Sequence, residues 1–279
     1  MTAKRTVMLP RLILYGLVYL LTALWLAPVA TAVITSLRAN SDILLHGFLS
    51  IPNTLSLQSY VDAWQRGGLA HYLPNSFIIT LPSLAATLFL SSLAGYALSR
   101  FRFPGDRLIL FIFVAGMMLP FQILLLPVFR LTDALHLYNT CWAVIIFHTA
   151  FQLGFCTFVL RNYMRTIPGE ILEAARMDGC NEFRIYSQIM LPLTLPALAA
   201  LATLEFTWIF NDFLWALILI QNDALKPVTT GLASLRGQYV MDWTVIISGS
   251  LIAALPTVLV FLFLQRYFIG GLTLGATKG

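Results

Sequence analysis

The sequence predicts an all-α membrane protein with six transmembrane helices, and three observations carry that expectation. The chain of 279 residues is 59% hydrophobic and only 10% charged, where a water-soluble domain is about a quarter charged. Six of its segments are apolar over the roughly 20 residues that a helix needs to cross hydrocarbon. Its basic residues fall unevenly in the intervals between those segments. Helices are the expected solution because each satisfies its own backbone hydrogen bonds in lipid.

The six runs are residues 12–36, 73–99, 108–129, 140–160, 193–221 and 243–264, and the first three and the last contain no Asp, Glu, Lys or Arg. Together they make one transmembrane domain spanning residues 1–279. The first run follows Lys4, Arg5 and Arg11 and contains Ala30-Thr31-Ala32, which has the form of a signal-peptide cleavage site. Its apolar stretch exceeds the ~7 to 15 residues of a signal peptide, so it is read as a retained helix.

The net charge of +5 does not indicate a nucleic-acid partner, because the 17 Lys and Arg residues are scattered between apolar runs and form no basic face. Their distribution reports orientation. Lys4, Arg5, Arg11, Arg100, Arg102, Arg107, Arg161, Arg165, Arg176, Arg184, Arg266 and Lys278 lie on the amino-terminal side. Arg38, Arg66, Arg130, Lys226 and Arg236 lie on the other. Basic residues concentrate on the cytoplasmic side, so both termini are expected in the cytoplasm of a cell whose plasma (inner) membrane holds the chain. The two longer outward loops are then 37–72 and 222–242. Cys141, Cys156 and Cys180 form no C-x-x-C pair and have no His at metal-ligand spacing, and are read as packing residues.

The interval 161–192 is too long for a hairpin and lies on the cytoplasmic side. Pro168 suits the first turn of a helix, Glu170 and Glu173 favour its positive end, and Gly179 suits a left-handed stop, which gives a helix of about three turns. Ile171, Leu172, Ala174 and Ala175 supply apolar surface, and Glu173 and Arg176 are spaced to pair. Asn181 is placed to cap a second short helix ending at Pro192. On these residues alone the segment fits a surface helix joining two spans as well as it fits a docking site.

The order Glu173-Ala174-Ala175, three residues, Gly179, nine residues, Ile189, one residue, Leu191-Pro192 resembles the EAA loop of ABC importer permeases. Ala94 to Gly105 (AGYALSRFRFPG), Trp208 to Trp215 (WIFNDFLW) and the ending Gln265-Arg266-Tyr267 to Gly271-Leu272-Thr273 to Lys278-Gly279 are similar to the carbohydrate-uptake branch of that family. The resemblance runs from about Leu12 to the last residue. One departure is Ile209-Phe210 before Asn211-Asp212, where the family often has a small residue and Trp. The resemblance implies a type I ABC importer permease fold in which Glu173, Ala174, Ala175, Gly179, Ile189, Leu191 and Pro192 belong to the loop that docks on an ATPase. It further implies a second homologous permease, two ATP-binding subunits that hold ATP and Mg, and an extracytoplasmic substrate-binding protein. No cofactor is expected in this chain, which has no G-x-x-x-x-G-K-[ST]. Its terminal Gly270 to Gly279 lacks that ending and is read as a flexible tail; the resemblance implies that it reaches toward the ATPase.

Polar residues inside an apolar run must face protein or water, because an ionised carboxylate at a helix centre in lipid costs about 2.5 to 3.5 kcal/mol. In the fifth run Glu205, Trp208, Asp212 and Trp215 recur at helical spacing, with Asn211 at the border of that face. Two readings stay open. The stripe lines a substrate path, with aromatic faces against sugar C–H surfaces and polar groups around hydroxyls, or it braces neighbouring helices. His148 and Gln152, one turn apart in the fourth run, are read as interhelical hydrogen-bonding residues. A rival function, an ion-coupled secondary transporter, would use Glu205, Asp212 and His148 as its ion path. An intramembrane enzyme lacks a constellation, since His46, His71, His136 and His148 are dispersed.

Overall fold

A helix that satisfies its own backbone is the dominant element of this chain. The computed structural model describes residues 3–48, 50, 55–238 and 242–273, with side chains from 13 to 234 and from 242 to 266 within those limits. The end of the glycine-rich tail, 274–279, and the side chains of Lys4, Arg5, Arg11, Arg236 and Lys278 lie outside the described residues. Among the described residues there is no strand. In chain order the α-helices are α1 (Ala3–Ser36), α2 (Asn40–His46), α3 (Gln58–Gln65), α4 (Leu69–Arg100), α5 (Asp106–Met117), α6 (Leu125–Ala134) and α7 (Cys141–Thr166). They continue with α8 (Gly169–Met177), α9 (Glu182–Ile185), α10 (Leu191–Phe210), α11 (Leu214–Leu219), α12 (Val228–Gln238) and α13 (Trp243–Thr273).

Five stretches are long and apolar enough to cross a bilayer: Ile13–Ser36, Leu69–Arg100, Cys141–Thr166, Glu182–Phe210 and Trp243–Arg266. A sixth is formed by two pieces, Asp106–Met117 and Phe121–Ala134, bent by 96° at their junction. The uninterrupted third crossing expected over 108–129 is therefore broken. Pro120 explains the break: it has no N–H to donate, takes an extended ψ of 118°, and opens a short 3-10 turn at Phe121–Leu124.

The fifth crossing also departs from expectation. It begins earlier, running from α9 through a π turn at Tyr186–Met190 into α10, and it ends at Phe210 instead of continuing to Gln221. The second loop helix thus does not stop at Pro192, which sits in the first turn of α10 where a missing N–H is tolerated. At the other end the Asn211 side chain turns back to the carbonyl of Thr207 (2.8 Å), and the Asp212 carboxylate accepts from the N–H groups of Trp215 (3.4 Å) and Ala216 (3.1 Å). Short polar side chains compete in this way with the helical backbone, so α10 ends and α11 starts anew.

By backbone contacts the chain divides into two compact units. The first comprises 1–70 and 232–253. Arg38 is buried there and donates to Asp42 (2.7 Å), to the carbonyls of Gly47, Phe48 and Ser50, and to the Ser50 hydroxyl (2.6 Å). One guanidinium so gathers a turn that lacks regular backbone pairing. The carbonyl of Ser36, at the end of α1, accepts from the hydroxyls of Ser59 (2.5 Å) and Ser248 (3.3 Å). Along α1 itself, side chains from Ile13 to Val29 are exposed in this chain.

The second unit comprises 71–231 and 254–279. Here α7 is central, with α5, α10 and α11 packed on it. Gly154 allows the closest approach: a Cβ at that position would lie 2.8 Å from the carbonyl oxygen of Phe113 on α5, as in small-residue packing between membrane helices. Two apolar clusters hold the unit together. One joins α4, α7, α8, α9 and α10 through Tyr96, Leu160, Leu172, Ile185 and Leu201; the other joins α4, α7 and α11 through Ile79, Phe147, Trp215 and Leu219. Cys156 packs in the first cluster, and none of the three cysteines is in a disulfide.

Gly154→Ala should force α5 from α7 and destabilise the chain by about 1–3 kcal/mol. The reading is a lower thermal midpoint of the purified, detergent-solubilised protein. Gly116→Ala, whose added Cβ meets nothing within 4 Å, should leave the midpoint unchanged.

Candidate functional site

The loop between α7 and α10 is built around α8. Pro168, in an extended conformation (ψ 137°), brings the chain in, and Glu170 occupies the first turn. At the other end Gly179 has φ +81°, a region that favours glycine. Its N–H bonds the carbonyl of Arg176 (3.0 Å), and the N–H of Cys180 bonds that of Ala175 (3.0 Å), closing the helix in a Schellman motif. Leu172 and Ala175 face inward into the first apolar cluster. Glu173 and Ala174 face solvent with Ile171 and Met177, the last 89% exposed. Of the four apolar residues singled out from sequence, two thus anchor α8 and two present it.

The pairing of Glu173 with Arg176 is not what forms. Arg176 turns to Glu182 instead, with Nε donating to Oε1 at 2.7 Å, and this hydrogen bond raises the guanidinium above its ordinary pKa. The other Glu182 oxygen accepts from the Tyr96 hydroxyl of α4 (2.7 Å). The Asn181 side chain accepts from the Arg184 N–H (2.8 Å), capping α9 as expected. Ile189 and Leu191 pack on the apolar cluster, while Pro192 is exposed. The loop is consequently fastened at its inner face to α4 and α10 and open at its outer face.

A separate cavity of about 540 Å³ lies where the two helix breaks meet α7. Met117, Pro120 and Gln122 contribute from the break between α5 and α6. Phe147, His148, Phe151, Gln152 and Phe155 contribute from α7, and Trp208, Asp212 and Trp215 from the break after α10. Trp215 is buried and stacks on Phe147 with centroids 3.6 Å apart, while Trp208 is 54% exposed. His148 Nε2 stands 3.5 Å from Asp212 Oδ2 without forming a hydrogen bond. The lining thus offers several ring faces and a few polar groups, the make-up of a site that orients a ligand by a small number of hydrogen bonds.

The five residues of the sequence stripe do not stay together. Trp208, Asp212 and Trp215 reach the cavity. Glu205 is absent from its lining and is fully buried, with one oxygen 3.4 Å from Cys156 Sγ and the other unpartnered. Asn211 is exposed and occupied by the Thr207 carbonyl. Sequence reading missed Gln122 and the row Phe147, Phe151, Phe155, although the row's spacing of four matched that of His148 and Gln152 beside it.

Residues 87–272 match the family described as binding-protein-dependent transport system inner membrane component. The chain is 36% identical over 263 residues to the arabinooligosaccharides transport system permease protein AraQ of Bacillus subtilis (strain 168), covering 93% of each. It is 35% identical over 254 residues to the probable ABC transporter permease protein YurM of the same organism, covering 90% of this chain and 83% of that one. It shares its fold with a chain in the crystal structure of a bacterial ABC transporter involved in the import of the acidic polysaccharide alginate, with a TM-score of 0.80 at 22% identity, over 96% of this chain and 98% of the other. Five apolar helices long enough to cross a bilayer, a sixth bent pair beside a cavity, and a closed helix on the loop between α7 and α10 thus have a known setting: this multi-pass membrane protein belongs to the family of inner-membrane components of binding-protein-dependent transport systems.

Proposed function

We propose that the chain is one of two permeases of an ABC importer for a carbohydrate, in which α8 receives ATP-driven movement and the cavity at the helix breaks forms part of the sugar's path. The observation that carries this reading is the two-sided construction of α8. Its inner face is sealed to α4, α7 and α10, whereas Ile171, Glu173, Ala174 and Met177 are left without cover in this chain. A partner ATPase would cover them, and two such subunits would hold ATP and Mg. Both termini, with α8, lie in the cytoplasm by the charge distribution, and an external binding protein would deliver substrate to the opposite side.

Carbohydrate as cargo is supported by the ring faces of Trp208, Phe151 and Phe155 set beside Gln122, Gln152 and His148, and by the oligosaccharide transport system to which AraQ belongs. An ion relay through Glu205, Asp212 and His148 is less well supported, since Glu205 does not line the cavity that the other two share. Vanadate should abolish uptake, while an uncoupler that leaves cellular ATP intact should spare it; the reverse pattern would sink the ABC reading.

Glu173→Lys should weaken association with the ATP-binding subunits by about tenfold or more, equivalent to about 1.4 kcal/mol, and leave helicity unchanged by circular dichroism. Gly179→Ala should impair transport without altering the cavity, because a left-handed non-glycine residue costs on the order of 1 kcal/mol at the turn that ends α8. Both are read in the assembled complex.

For the cavity, Asp212→Asn should retain uptake within about threefold, since asparagine caps helices as well as aspartate does. Trp208→Ala should raise the half-saturating sugar concentration with little effect on folding, as its ring is more than half exposed. Concentration-dependent uptake of labelled sugar measures both.

A further inference from the structure

The segment from Leu98 to Arg107, which overlaps the Ala94 to Gly105 stretch, takes no part in α8 or in the aromatic cavity. With the end of α7 it encloses a second cavity, of about 870 Å³, lined by Arg100, Arg102, Arg107, Arg161 and Arg165 against a single carboxylate, Asp106. None of the five arginines forms an ion pair among the described residues. Asp106, whose Oδ1 accepts from the N–H of Arg107 (2.6 Å), is one negative charge against five positive ones in this lining.

Two of the guanidiniums build the walls. Arg100 donates through Nη2 to the carbonyls of Met164 (2.5 Å) and Ile167 (2.7 Å), and its buried Nε has no partner. Arg161 donates through Nε to the Leu98 carbonyl (3.2 Å). Arg102, Arg107 and Arg165 are exposed and free to close on a ligand. Five like charges held round one hollow repel one another unless an anion joins them, and a guanidinium fork matches the oxygens of a phosphate.

The neighbouring surface says what kind of anion. One residue beyond Arg107, the exposed face of α5 turns apolar, with Leu108, Phe111 and Ile112 at positions i, i+3 and i+4. Charge followed at once by a greasy helical face is what a lipid meets as it passes from headgroup to acyl chain, and basic pockets at helix ends bind anionic headgroups. A soluble phosphate compound or an acidic protein surface would make no use of that face. We propose that this pocket binds the phosphate headgroup of an anionic phospholipid, with the acyl chains lying along Leu108, Phe111 and Ile112. The pocket's existence does not depend on the transport reading; only its placement in the cytoplasmic leaflet does.

The test is native mass spectrometry of the full-length chain in detergent, titrated with dioleoylphosphatidylglycerol or dioleoylphosphatidylcholine. The wild type should retain phosphatidylglycerol preferentially. The triple variant R102Q/R107Q/R165Q should lose that preference by roughly a hundredfold, at about fivefold for each charge removed. The corresponding triple lysine variant should keep most of it, and Arg130→Gln, outside the pocket, all of it. Equal retention of the two lipids by wild type, or an undiminished preference in the glutamine variant, overturns the proposal. Displacement of the lipid by millimolar inorganic phosphate, with no dependence on acyl chains, would assign the pocket to a soluble anion instead. Loss of binding to the ATP-binding subunits with lipid retention intact would make it a protein-docking surface.

Discussion

A helix that stops within an apolar interior leaves backbone amides and carbonyls that no solvent will satisfy, and the second unit is organised around two such stops. Pro120 creates one by removing a donor, and Asn211-Asp212 creates the other by substituting side chains for the helical ladder. Irregular backbone at membrane depth is tolerated only where protein surrounds it or a wet cavity adjoins it. Both stops border the same aromatic cavity. The hollow is thus where the fold can accommodate broken helices, and the breaks supply the Gln122 and Asp212 that a continuous helix would have pointed elsewhere.

The same economy governs the loop that bears α8. Glu182 ties Arg176 and Tyr96 together, and Tyr186 reaches the Ser92 hydroxyl (2.7 Å). These polar links surround an apolar cluster in which Leu172 and Ala175 share contacts with residues of α4, α7 and α10. A short isolated helix is marginal in water; α8 is held by its neighbours on one face and by a glycine turn at its end.

What the sequence discloses depends on whether the deciding interaction is local. Pro168, Gly179 and Asn181 act on residues within one turn, and the limits of α8 and the cap of α9 were legible from them. The family was legible because its motif is read by spacing alone. Partner choice across the fold was not: Arg176 had a suitable Glu173 three residues away, yet Glu182 is brought nearer by the turn at Gly179. The spacing of Glu205, Trp208, Asp212 and Trp215 assumed an unbroken helix, and that assumption failed where Asn211 and Asp212 captured backbone groups. The break at Pro120 carries a local signal, a residue without an N–H inside an apolar run, whereas the expectation of an unbroken third crossing rested on apolarity alone.

The length of α10 has a mechanical implication. Its 20 residues, Pro196 among them, rise about 30 Å, with the π turn and the α8 loop at one end and Trp208 at the other. A helix of that length magnifies: tilted as one piece by about 10° at the loop end, it would sweep its far end through about 5 Å, close to the thickness of a sugar ring. Small rotations, of the kind packed helices undergo without repacking their cores, would therefore be felt at the cavity that this tryptophan lines.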